Sequence, residues 1–167
     1  MATDAKKHLQ HEVLVGGVSN TFFNGLIAWL LLKSGPALGW GNFSGDIIAT
    51  ALILPFIVAL IVIPLQRGKM NKGKLEPITL GAGSFAQSLA DRFPTSVFKS
   101  ALLFGLLGMC VIAPLTLLGF YLVGVQEVSP LNYAIFKGLW AGLMAGVLVI
   151  PMVLCALRTP ALAGQTA

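Results

Sequence analysis

Charge is what this chain has least of. Only 10% of its 167 residues are Asp, Glu, Lys or Arg, and just six are acidic, where soluble domains carry about a quarter charged residues. That shortage, with 56% hydrophobic residues and a mean hydropathy of +0.87, excludes an ordinary soluble globular domain. Cysteine is scarce too: Cys110 and Cys155 stand alone, without the C-x-x-C spacing a thiol–disulfide enzyme needs. Counted along their helices at about 1.5 Å per residue, the two differ in depth by roughly 9 Å, too far for a bridge. There is no G-x-S-x-G, no H-E-x-x-H, no phosphate loop and no carboxylate pair within an apolar stretch. Gly81-Ala82-Gly83 lacks the strand and helix a nucleotide site demands. His8, His11 and Glu12 are three weak ligands in what reads as a solvated tail, short of the four held ligands of a closed metal site. The expectation is a non-enzymatic protein with no catalytic residue, metal or cofactor.

What is present is apolar sequence in four long runs, near residues 13–32, 47–65, 101–125 and 134–157. Each is long enough to cross the hydrocarbon of a bilayer, which takes about 20 residues as helix. The fold class predicted is an all-α integral membrane protein, a four-helix transmembrane bundle forming a single domain over 1–167. The spans and their connections leave no room for a separate catalytic domain. The first run follows Lys6 and Lys7 as a secretory signal would, but Lys33-Ser34-Gly35-Pro36 is a poor cleavage site, so it reads as a retained helix.

Lysine and arginine set the orientation. Lys6 and Lys7 precede the first run, Arg67, Lys69, Lys72, Lys74, Arg92 and Lys99 lie between the second and third, and Arg158 follows the fourth. The other two connections hold only Lys33 between them. Basic residues stay on the cytoplasmic side, so both termini and the loop 66–98 are expected inside. Trp29, Trp40, Tyr121, Tyr133 and Trp140 collect near the two outer loops, as an interfacial belt would. Compact spans and this charge bias point to a bacterial inner membrane. The net charge of +5 therefore reads as a topology signal rather than as a nucleic-acid footprint. Within the loop, Arg67, Lys69, Lys72 and Lys74 form a glycine-interrupted basic run suited to anionic headgroups or simply to fixing topology. Ser84–Phe93 carries the apolar stripe of a short interfacial helix ended by Pro94.

The four runs read as two hairpins. Aligning Val62-Ile63-Pro64 with Val149-Ile150-Pro151 sets Leu52 over Leu139 and Ile48 over Ile135, the pattern a parallel internal repeat would leave.

Polar features inside the runs are few. Asn20 and Asn24, four apart, project from one face of the first span, with Ser19 beside them and Thr50 in the second. An amide in hydrocarbon needs a partner. Asn24 lies nine residues before Lys33 and Pro55 nine after Asp46, so the two are level. The Ala51 carbonyl, which Pro55 cannot bond, is the expected acceptor for Asn24. The alternative use of Ser19, Asn20, Asn24 and Thr50 is a narrow polar path. In the fourth span, Gly138, Gly142 and Gly146 recur every four residues and form a close-packing face, directed at Gly105, Gly108 and Gly119 of the third span or at a second copy. Pro55, Pro64, Pro114 and Pro151 should bend their helices. Lys137, one turn inside the outer end of its helix, is expected to snorkel, with Glu127 and Asp46 as available partners. Two functions remain in view: an accessory or assembly subunit that packs against other membrane subunits or itself, and a small oligomeric channel or transporter.

Overall fold

The computed structural model describes residues 2–78 and 92–158, with side chains from Lys6 onward. In chain order it contains α1 (Ala2–Leu32), β1 (Leu38–Gly39), α2 (Trp40–Asn71), α3 (Val97–Val123), β2 (Glu127–Val128) and α4 (Pro130–Leu157). All four helices are long and apolar enough to cross a membrane. The expected interfacial helix over Ser84–Phe93 falls, except for its last two residues, outside the described residues, as does Gly81-Ala82-Gly83.

The helices exceed the apolar runs that define them. α1 has 31 residues and α2 has 32, so each is about 47 Å long at 1.5 Å per residue, well beyond the ~30 Å of hydrocarbon. In α1 the surplus is the N-terminal tail, which is helical though Lys6, Lys7, Gln10 and His11 stay exposed; α2 overruns its apolar run at both ends, with Trp40–Asp46 before it and Gln66–Asn71, residues expected to begin the loop, after it. The two extensions brace each other: His8 Nε2 and Gln66 Oε1 lie 2.9 Å apart, and Lys69 Nζ donates to Glu12 at 2.9 Å. Local chemistry then stops the helices. Gly73 and Gly124 take the left-handed φ of +68° and +75° just past α2 and α3, a conformation open to glycine at little cost. Pro130 starts α4 behind Ser129, whose hydroxyl accepts from Asn132 N at 3.4 Å.

α3 is interrupted by a π turn at Gly108–Ile112. Pro114 has no N–H to return to the Cys110 carbonyl, and the wider turn directly before it absorbs the mismatch. Thr116 Oγ1 donates to the Ile112 carbonyl at 2.8 Å and so satisfies another acceptor in the loosened turn.

Packing does not follow chain order. α1 lies along α4, α4 along α2, and α2 along α3, so the extensive partner of α1 is α4 and not its chain neighbour. α4 is central: 61% of its apolar window is buried, against 6% for α1. Ala59 and Ile63 of α2, Ala101 and Phe104 of α3, and Met144, Leu148 and Met152 of α4 form one core cluster. Phe43, Ile47 and Ala51 of α2 with Ala113 and Tyr133 form a second, nearer the strands. The strands join the loop after α1 to the loop after α3, pairing antiparallel with Leu38 opposite Val128 and Gly39 opposite Glu127. The bundle thus has a strand end and a basic end, the latter holding the start of α1, the end of α2, the start of α3 and the end of α4.

Candidate functional site

At the strand end two side chains converge on one carboxylate. Asp46 lies six residues into α2, and Lys137 lies seven residues into α4, so at equal rise they face each other at the same depth. Lys137 Nζ donates to Asp46 Oδ1 at 2.7 Å and to Oδ2 at 2.6 Å, and the Tyr133 hydroxyl donates a short hydrogen bond to Oδ2. Tyr133 itself is buried, one turn before Lys137, with its ring against Phe43 at 6.4 Å between centroids. Lys137 does not reach out to water: its side chain is 15% exposed and that of Asp46 38%. The outward reach expected for Lys137 is therefore replaced by an interhelical ion pair, and of the two carboxylates within reach Asp46 takes it, while Glu127 stands exposed in β2. Burial of one partner and the bidentate geometry make this pair costly to break from one side.

A cavity of about 390 Å³ opens beside the cluster. Ile27, Ala28 and Leu31 of α1 and the Gly35–Leu38 loop form its apolar walls, and Asn42, Asp46, Tyr133 and Lys137 its polar pole. The arrangement offers hydrogen-bond donors and acceptors of no net charge at one side of an otherwise apolar space. Comparison with protein-family models, with curated proteins and with solved structures finds no match for the chain.

A second polar group sits at the basic end. Glu12 accepts from Lys69, with His8 Nε2 a further 3.7 Å away, and Gln66 is fully buried between α2 and α1. Among the described residues Gln66 Nε2 has no hydrogen-bond partner. Arg67 donates to the Thr95 carbonyl at 2.8 Å and Arg158 to that of Phe93 at 3.0 Å, tying the start of α3 to the ends of α2 and α4. Of the basic run, Arg67 and Lys69 are thus engaged within the fold, while Lys72 and Lys74 are exposed. His11 is exposed as well.

The amide face of α1 is used differently from expectation. Asn20 Nδ2 donates to the Gly16 carbonyl at 2.8 Å, and Asn24 Nδ2 to the Asn20 carbonyl at 3.0 Å, so both bonds run along their own helix. Asn24 does not reach Ala51, because α1 sits on α4 and not on α2. The Ala51 carbonyl freed by Pro55 meets Gly108 of α3 instead; a methyl built on Gly108 would run into it. Ser19 and Thr50 are half-buried.

The glycine face of α4 meets α1. Running antiparallel, Gly25 sits by Gly138, Thr21 by Gly142 and Gly17 by Gly146. A methyl on Gly138 would come within 2.8 Å of the Thr21 carbonyl, and one on Gly142 within 2.6 Å of the Gly17 carbonyl. The third-span glycines expected opposite this face turn to α2: a methyl on Gly105 would lie 2.8 Å from the Leu52 carbonyl, and Gly119 has open space. Sequence reasoning missed Thr116 altogether. Trp140 Nε1 donates to Thr116 Oγ1 at 3.0 Å, a link between α4 and α3. The signal available was a hydroxyl residue within an apolar helix, which returns its O–H to the carbonyl four residues back.

Proposed function

We propose that this chain is a non-enzymatic accessory or assembly subunit of a membrane complex, acting through its outer surface. The observation that carries this reading is the filled interior. Between the two polar ends the space shared by α2, α3 and α4 is occupied by Ala59, Phe104, Met144 and Leu148, and the amides of α1 are spent on their own helix. What the bundle leaves available is apolar surface, above all on α1, where Leu14, Val18, Phe22, Phe23 and Leu30 are more than half exposed. An oligomeric channel or transporter would have to place its path between copies.

The same proposal takes the basic end to be cytoplasmic and the membrane to be a bacterial inner membrane, since Lys and Arg collect at that end. It also takes the two halves, α1–α2 and α3–α4, to be a parallel repeat. Support comes from the helix order: a two-fold axis along the bundle would exchange α1 with α3 and α2 with α4, leaving α2 and α4 in contact at the centre and each outer helix on the inner helix of the other half. The offset of 87 residues that aligns the two Val-Ile-Pro runs also carries Thr21 to Gly108 and Gly142 to Pro55. Thr21 sits against Gly142 just as Gly108 sits against Pro55.

Purification of the full chain in mild detergent, with mass measurement and identification of co-purifying proteins, tests the function. Stoichiometric partner subunits are expected. A pure homo-oligomer that conducts solute in liposomes would overturn the reading in favour of transport.

A further inference from the structure

We propose that the strand-end cavity binds an uncharged membrane amphiphile, with a hydroxyl-bearing head against Asp46 and Lys137 and an acyl chain along α1. Whatever the chain assembles with, the ion pair leaves hydrogen-bonding capacity unused. An ammonium has three N–H donors, of which Lys137 spends two on Asp46. Asp46 Oδ2 accepts from both Lys137 and Tyr133, while Oδ1 accepts from Lys137 alone, so a lone pair remains on Oδ1. One donor and one acceptor on adjacent atoms match a hydroxyl, which supplies both. A charged head is disfavoured, because it would have to pull apart a pair already neutral and part-buried.

The walls select the rest of the ligand. Ala28 is buried, but Ile27 and Leu31 are 53% and 78% exposed, so the cavity is continuous with the outer apolar face of α1. A volume of about 390 Å³ falls within the ~300–1,000 Å³ of small-molecule sites. Depth agrees as well. Asp46 directly precedes the apolar run of α2 that begins at Ile47, and Lys137 lies level with it, so the polar pole sits at the edge of the apolar span, where the head of an amphiphile meets its chain. A soluble polyol would fill the pole and leave the walls empty; a monoacylglycerol fills both.

The test uses the full chain in phosphatidylcholine nanodiscs with a photoactivatable monoacylglycerol, followed by mapping of labelled peptides. Saturable labelling within 27–46 or 133–137 is expected, displaced by unlabelled monoacylglycerol but not by glycerol, phosphatidylglycerol or a long-chain alkylamine. Ala37→Trp, which fills the cavity from an exposed loop, should reduce labelling by about tenfold or more with the thermal transition unchanged. Asp46→Ala with Lys137→Met should do the same by removing both the acceptor and the donor of the polar pole. Displacement by glycerol would make the ligand a soluble polyol and overturn the lipid assignment. Displacement by either charged amphiphile, or labelling undiminished in Ala37→Trp, would overturn the site.

Discussion

Along the α1–α4 seam two backbones meet across Gly17, Thr21 and Gly25 on one side and Gly138, Gly142 and Gly146 on the other. In the α2–α3–α4 core, large side chains interlock, with Phe104 stacked on Phe93 at 4.7 Å and Phe120 edge-on to Phe136 at 4.8 Å. The seam has length without thickness. It gains from dispersion between closely apposed backbones and has almost no side-chain volume with which to adjust. The core depends on filled volume, so a truncated side chain leaves a cavity that its neighbours close only in part. The two regions should therefore fail differently, the seam on any addition and the core on any removal.

The sharpest break is Gly142→Leu. A side chain there meets the Thr21 side chain and the Gly17 backbone carbonyl from its first carbon, and turning the Thr21 hydroxyl away leaves the backbone clash in place. The cost should exceed the ~1–3 kcal/mol of ordinary overpacking, and α1 should leave α4. The expected result is protease access along α1 while the near-UV circular dichroism of the core tryptophans Trp40 and Trp140 is retained. Loss of that signal together with α1 would mean that seam and core are one cooperative unit.

Phe104→Ala is the complementary cut. Phe104 is fully buried, and its removal leaves a cavity facing Phe93 and Met152. Truncation of a buried phenylalanine costs about 3–5 kcal/mol in water-soluble cores; lipid is as apolar as the core, so the transfer part falls away and about 3 kcal/mol of packing remains. Thermal unfolding in detergent should show the lower transition, with α1 still protected.

The ion pair lies between these extremes, because it joins two core helices through charge rather than shape. Asp46→Ala should cost about 2 kcal/mol, below the 3–5 kcal/mol of a fully buried pair, since Asp46 is 38% exposed. The double change Asp46→Ala with Lys137→Met should recover most of it, as the stranded ammonium is then gone. A double-mutant cycle with no coupling would show that the pair holds nothing together.

How far these regions were legible beforehand differs in the same way. The close-packing residues Gly138, Gly142 and Gly146 could be read directly, because spacing by four is a property of one helix. Their partner could not, since which helix settles into the groove depends on the order of packing around α4, and sequence neighbours are a poor guide to it. The same gap sent Asn24 toward Ala51, a correct depth match on a helix that α1 does not adjoin. Asp46 and Lys137 were each visible as rare charges near the outer ends of their helices, but the choice of Asp46 over Glu127, and of a pair over an outward reach, depends on α2 and α4 being neighbours. The helix ends were the least legible: no apolar run marks residues 2–12 or 66–71 as helical, and their order comes from His8, Glu12, Gln66 and Lys69 meeting across two helices and from Leu9 and Met70 packing on Val149, Val153 and Leu157 of α4.

The smallest effect expected is the one that separates α3 from α4 by a single atom. Thr116→Val keeps the shape of the side chain and removes the oxygen, so Trp140 Nε1 loses its acceptor and the Ile112 carbonyl its donor. Buried hydrogen bonds between membrane helices are worth about 0.6 kcal/mol on average and at most ~1.7. The π turn makes the upper part of that range the expectation here, because Ile112 closes the segment that Pro114 has already deprived of a donor. The loss should be about 1 kcal/mol, read as a small fall in unfolding temperature and a shift in Trp140 fluorescence. If the shift appears without the fall, the bond positions the indole but does not brace the turn, and the stability of the bent helix must come from the fit of Gly108 against Ala51 and Pro55.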